Sequence, residues 1–115
     1  MDFKYDCGIS DNDINRASMD DDYAGLLADK IIKEALNILL NKRWTLLRAF
    51  DGNDFLTSLA IKKLKRFDHN LFNGAIFCTG IYQFWDHNKK EITEDERIDL
   101  GIELLQSYVK SLTTN

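Results

Sequence analysis

Ile98, Ile102, Leu105, Val109 and Leu112 recur at intervals of four and three, and Asp99, Glu103, Gln106 and Lys110 fall between them. That period places apolar side chains along one face of a helix and is incompatible with the two-residue alternation of a strand. Leu100 and Leu104 flank the stripe, so a helix over 94–112 is expected to touch neighbours on two sides. A second run repeats the pattern. From Ser18-Met-Asp-Asp-Asp22 to Lys42, the residues Ala24, Ala28, Ile31, Ala35 and Ile38 form a stripe that Leu27, Ile32, Leu36 and Leu39 widen, while Lys30, Lys33, Glu34, Asn37 and Asn41 form the wet side.

Two such helices in 115 residues without a single proline point to an all-α fold. The remaining segments read the same way. Residues 43–50, RWTLLRAF, carry Trp44 and Leu47 on the apolar rows of the preceding helix and are expected to prolong it, the alternative being a short separate turn before Asp51-Gly52-Asn53. Asp51-Gly-Asn-Asp54 is a break by turn chemistry. Leu56, Leu59, Ala60, Leu64 and Phe67 then face one way in a helix whose cations gather at its C-terminal end, where they complement the dipole. Residues 71–85 are apolar almost all round but too short to span a bilayer, since about 15 residues reach about 22 Å as helix. They are expected to form a buried central helix, with Gly74 and Gly80 allowing close approach of neighbours. Residues 1–17 differ in kind. Phe3, Tyr5, Cys7 and Ile9 alternate like a short strand or an extended strap across the bundle. The expected fold is a single domain over 1–115, a bundle of four or five helices with that N-terminal segment extended.

The stretch DHNKKEITEDE, 86–96, imitates a calcium loop, with Asp86, Asn88 and a closing Glu96. An EF-hand needs twelve residues, an oxygen donor at position 5 and glycine at position 6. Here those positions hold Lys90 and Glu91. Thr93 and Glu96 instead have the spacing of a capping box at the start of the last helix. No metal and no cofactor is expected. Cys7 and Cys78 lie too far apart for a clustered zinc site and are expected to be free thiols. Phe67-Asp-His-Asn70 and Trp85-Asp-His-Asn88 contain the only two histidines, and eighteen helical residues would hold them about 27 Å apart. Both are expected to be punctuation, with Asp and Asn capping and the aromatic ring closing the core.

The chain has no phosphate-binding glycine loop, no H-E-x-x-H and no nucleophile elbow. No enzymatic activity is expected. There is no secretory leader and no apolar run of membrane-spanning length, so a cytoplasmic protein is expected. A net charge of −4 opposes nucleic-acid binding, which would rest on Lys62, Lys63, Lys65 and Arg66. The acids Asp11, Asp13, Asp20, Asp21 and Asp22 offer a field to a basic protein. The expected function is therefore a protein-binding module, an inhibitor or immunity protein that neutralises a toxin or nuclease by contact. The alternative is a nucleic-acid-associated regulator using the 62–66 patch, and homo-oligomerisation is compatible with either.

Overall fold

The computed structural model describes residues 9–50, 54–76 and 93–113. Among them the chain forms six helices and no strand: α1 (Asp11–Met19), α2 (Asp21–Lys42), α3 (Leu46–Ala49), α4 (Asp54–Phe67), α5 (His69–Ile76) and α6 (Glu94–Thr113). The all-α bundle expected from the apolar periods is the fold observed, with α1 and α3 as short additions to the longer helices.

The N-terminal strap is where the structure departs most from the sequence reading. Residues 1–8, which carry most of the alternation, lie outside the described residues. From Asp11 onward the chain is helical, because Ser10 and Asp13 form a capping box: the Asp13 N–H donates to Ser10 Oγ at 3.2 Å and the Ser10 N–H to Asp13 Oδ2 at 2.9 Å. Two orphan donors of the first turn are thereby satisfied at once. Ala17 then packs into the core.

The second departure is at residue 43. The helix expected to run on to residue 50 stops at Lys42, and Arg43 takes a left-handed conformation (φ 54°, ψ 49°) with its N–H returning to the Leu39 carbonyl at 3.0 Å. Lys42 is the last residue of the helix and is exposed there. The left-handed turn ends α2 at that point. It also aims Leu46, Ala49 and Phe50 back into the core.

The core is built mainly by α2, whose Leu27, Ile31, Ile32, Ala35 and Leu39 meet Leu56, Ala60 and Leu64 of α4, Phe72 and Ala75 of α5, and Leu104, Leu105 and Tyr108 of α6. The stripe of α6 is rotated from the expected one. Ile98, Gly101, Leu104, Leu105 and Tyr108 are buried, whereas Ile102, Val109 and Leu112 are only half-buried. At Gly101 a Cβ atom would lie 2.9 Å from Leu39 Cδ2, so the missing side chain is what lets α6 close on the end of α2. Gly74 serves the same purpose against Leu100, and Gly80 lies outside the described residues, as do Cys7, Cys78 and the stretch 77–92.

The expected cap of the last helix is present. The Glu96 N–H donates to Thr93 Oγ1 at 3.2 Å, and the Thr93 hydroxyl donates to Glu96 Oε1 at 3.2 Å. The rest of the loop, 86–92, is outside the described residues. At 67–70, Asp68 accepts the Leu71 N–H at 3.0 Å and so starts α5 immediately after α4 ends, which is the capping expected of that tetrad, whereas Phe67 is 41% exposed and does not close the core as expected. No helix among the described residues is long and apolar enough to cross a membrane.

Candidate functional site

Of the five aspartates of the acidic segment, Asp20, Asp21 and Asp22 stand at the elbow between α1 and α2, Asp13 is joined to α2 through Tyr23, and Asp11 opens α1 at its other end; they have different tasks. Asp13 closes the capping box and also accepts a short hydrogen bond from the Tyr23 hydroxyl. That bond, with the Ser10 N–H, holds the Asp13 carboxyl below the usual carboxylate range and in turn raises Tyr23. Asp20 caps α2, its Oδ1 accepting the N–H groups of Asp22 at 3.0 Å and Tyr23 at 3.3 Å. Asp11, Asp21 and Asp22 stand exposed in the first turns of their helices, where carboxylates are stabilised by the helix dipole. Arg16 lies 4.2 Å over the Tyr23 ring and ties the outer side of the elbow.

What the sequence reading did not single out is that this acidic elbow also carries bare apolar surface. Met19 is 83% exposed and Leu26 63%, the highest values among the large hydrophobic residues described. Leu26 follows Asp22 by one turn on the same face of α2. The available signal was Leu26 itself, a leucine off the apolar stripe of an otherwise regular amphipathic helix.

The basic patch is divided by the fold. Lys62, Lys65 and Arg66 are exposed on α4. Lys63 turns the other way and crosses to α2, where its Nζ donates to the Gly25 carbonyl and to Asp29 Oδ1, both at 3.0 Å. Asp29 Oδ1 also accepts the Tyr108 hydroxyl at 2.7 Å, so one carboxylate ties α4 and α6 to α2. Burial, and then this hydrogen bond, raise the Tyr108 hydroxyl well above its ordinary value. Asp29 and Tyr108 went unnoticed in the sequence. Both sit on the rims of apolar stripes, Asp29 next to buried Ala28 and Tyr108 three residues after buried Leu105.

A second cluster occupies the other end of α2. Lys42 Nζ lies 5.1 Å and Arg48 Cζ 4.4 Å from the centre of the Trp44 ring, and Leu40 and Leu47, close to them in the chain, are about half exposed. Arg43 is tied to its own chain by Asp99 at 3.0 Å and Asp95 at 3.9 Å. Glu34, Asn37, Ile38, Asn41, Lys42 and Trp44 line an open groove of about 250 Å³ on this side.

His69 meets Asn73 one turn on at 3.1 Å, and its neighbour Asp68 is engaged in the cap. No group of three metal-ligating side chains converges among the described residues. Comparison with protein-family models, with curated proteins and with solved structures gives no match for this chain.

Proposed function

We propose that this protein is a binding module that works by contact rather than catalysis, and that the α1–α2 elbow is the surface it presents to a basic protein partner, most concretely a toxin or nuclease that it neutralises. The observation that carries this reading is the coincidence of Met19 and Leu26, bare to solvent, with the exposed carboxylates of Asp21 and Asp22, Asp11 adding to the field from the start of α1. Apolar anchors supply the area that holds a complex, and the surrounding charge speeds encounter and excludes wrong partners. Asp13 and Asp20 contribute to the field but are held by the caps, which makes them poor probes of binding.

The test uses the tagged chain, expressed in its own host, to retain a small basic protein in a stoichiometric complex in which that protein's toxic or nuclease activity is lost. Replacing Asp11, Asp21 and Asp22 together by Lys is expected to slow association about tenfold and flatten its salt dependence. Replacing Lys62, Lys65 and Arg66 by Glu is expected to leave the rate unchanged. The opposite ranking, with retention on heparin lost in the second variant, replaces this reading with a nucleic-acid-associated one acting through α4.

A further inference from the structure

Asparagine is a poor residue within a helix, because its carboxamide competes for nearby backbone groups, yet α2 carries two, Asn37 and Asn41, one turn apart. Both are exposed. With Glu34 and Ile38 they line the groove that Lys42 and Trp44 close at the end of the helix. Among the described residues no hydrogen bond or ion pair engages the side chains of Glu34, Asn37 or Asn41, and Lys42 and Arg48 rest on the Trp44 ring without meeting a carboxylate. Of the groove's aliphatic and amide side chains, only Ile38 also packs against the core. The polar lining is therefore not spent on holding the bundle together.

Size, spacing and charge together select what this lining can hold. At about 250 Å³ and open to solvent, the groove is smaller than the roughly 300–1,000 Å³ that encloses a drug-sized molecule, so it takes one side chain of a longer ligand. The two carboxamides stand about 6 Å apart along the helix axis. An extended peptide presents both N–H and C=O to the same edge at every second residue, about 6.6 Å apart, and a carboxamide offers the matching acceptor and donor. From Glu34 to Lys42 is about 12 Å, the length of three or four extended residues. We propose that the groove binds a short acidic peptide in extended form, its backbone on Asn37 and Asn41, an apolar side chain between Ile38 and Trp44, and a carboxylate at Lys42 and Arg48. Arg43 takes no part, being held by Asp99 and Asp95. A stacked nucleic-acid base fits less well, since the Trp44 ring already carries two cations and Glu34 repels a phosphate backbone.

The test pans a display library of random peptides, about eight residues long and so twice the span of the groove, on the purified full chain. Selected peptides are synthesised, labelled and titrated by fluorescence anisotropy. They are expected to share an acidic and an apolar residue and to bind more weakly as salt rises. Asn37→Ala with Asn41→Ala is expected to weaken that binding about tenfold while leaving the urea midpoint unchanged or higher, since alanine is the better helix former. A purely structural role for the asparagines would not produce that combination. Lys42→Glu with Arg48→Glu is expected to weaken binding at least about tenfold, with helicity checked by circular dichroism. The proposal is overturned if acidic peptides are not enriched, or if the double-alanine chain binds them as wild type does. Should the charge-reversed chain lose helicity, the double-alanine chain decides alone. A labelled oligothymidylate is titrated alongside, and its binding in place of the peptides overturns the proposal in favour of single-stranded nucleic acid. The groove begins about 21 Å along α2 from Asp20, so these variants leave the elbow intact and failure here leaves the test with a basic partner standing.

Discussion

At the scale of single residues, Gly101 shows how a position without a side chain directs the packing of two helices. An alanine there gains about 0.5–1 kcal/mol from its greater helix propensity. Its methyl carbon would stand 2.9 Å from Leu39 Cδ2 and 3.6 Å from Leu46 Cβ. Leu39 is fully buried, so its methyl group can yield only by pressing into packed neighbours, and overpacking of that kind costs about 1–3 kcal/mol. The cost wins. Gly101→Ala is expected to lower the unfolding free energy by about 1 kcal/mol in urea denaturation. A stabilised variant would mean that α6 does not approach α2 as closely as this.

At the scale of elements, the end of α2 sets an apolar period against a left-handed cap. The apolar rows run on through Leu46, Ala49 and Phe50, all of which are buried, and on that signal a helix continuing to residue 50 is the natural reading. What the period does not display is the left-handed Arg43, which ends the helix at Lys42 and redirects the chain. A non-glycine residue in that conformation costs about 1 kcal/mol, and the exposed bridge from Arg43 to Asp99 returns at most about that much. Arg43→Gly is therefore expected to fall within about 1 kcal/mol of wild type and Arg43→Ala to be the less stable of the two, the reverse of their order inside a helix. Equilibrium unfolding of the pair checks it, and alanine above glycine would place Arg43 within a continuous helix. The same contrast explains what was legible elsewhere. The buried stripe of α2 and the caps at Thr93 and Asp68 are local in sequence and could be read directly. The helix α1 hung on a box of Ser10 and Asp13 too short to register as a period. The rotation of α6 was set by Gly101 and Tyr108, whose partners lie on α2. Of the candidate site, the acids could be read as a cluster but not their division between caps and open surface, and the withdrawal of Lys63 from the basic patch depended on where α4 lands against Asp29.

At the scale of the whole molecule, that carboxylate joins three of the long helices. Asp29 of α2 accepts Lys63 of α4 and Tyr108 of α6, and the Tyr108 ring meets Phe67 edge-on at 5.3 Å, closing the same corner of the bundle. Removing the Tyr108 hydroxyl leaves Asp29 with Lys63, so Tyr108→Phe is expected to cost about 0.5–1.5 kcal/mol near neutral pH. The dependence on pH is more diagnostic. In the folded chain the hydroxyl holds its proton well above the ordinary tyrosine value, whereas in the unfolded chain it releases that proton near about pH 10. A proton bound more tightly by the folded state stabilises it fully below that pH. The advantage is lost as pH rises further, because unfolding then releases the proton. The phenylalanine variant has no such proton to lose. Lys63 and Tyr23 are common to both proteins, so the difference between their unfolding free energies isolates Tyr108. Measured in urea between about pH 8 and pH 11, that difference is expected to favour wild type at the lower end and to shrink steadily above about pH 10. A gap that stays constant across the range would show that the hydroxyl is free to ionise in the folded chain, and that Asp29 does not hold α6 to α2.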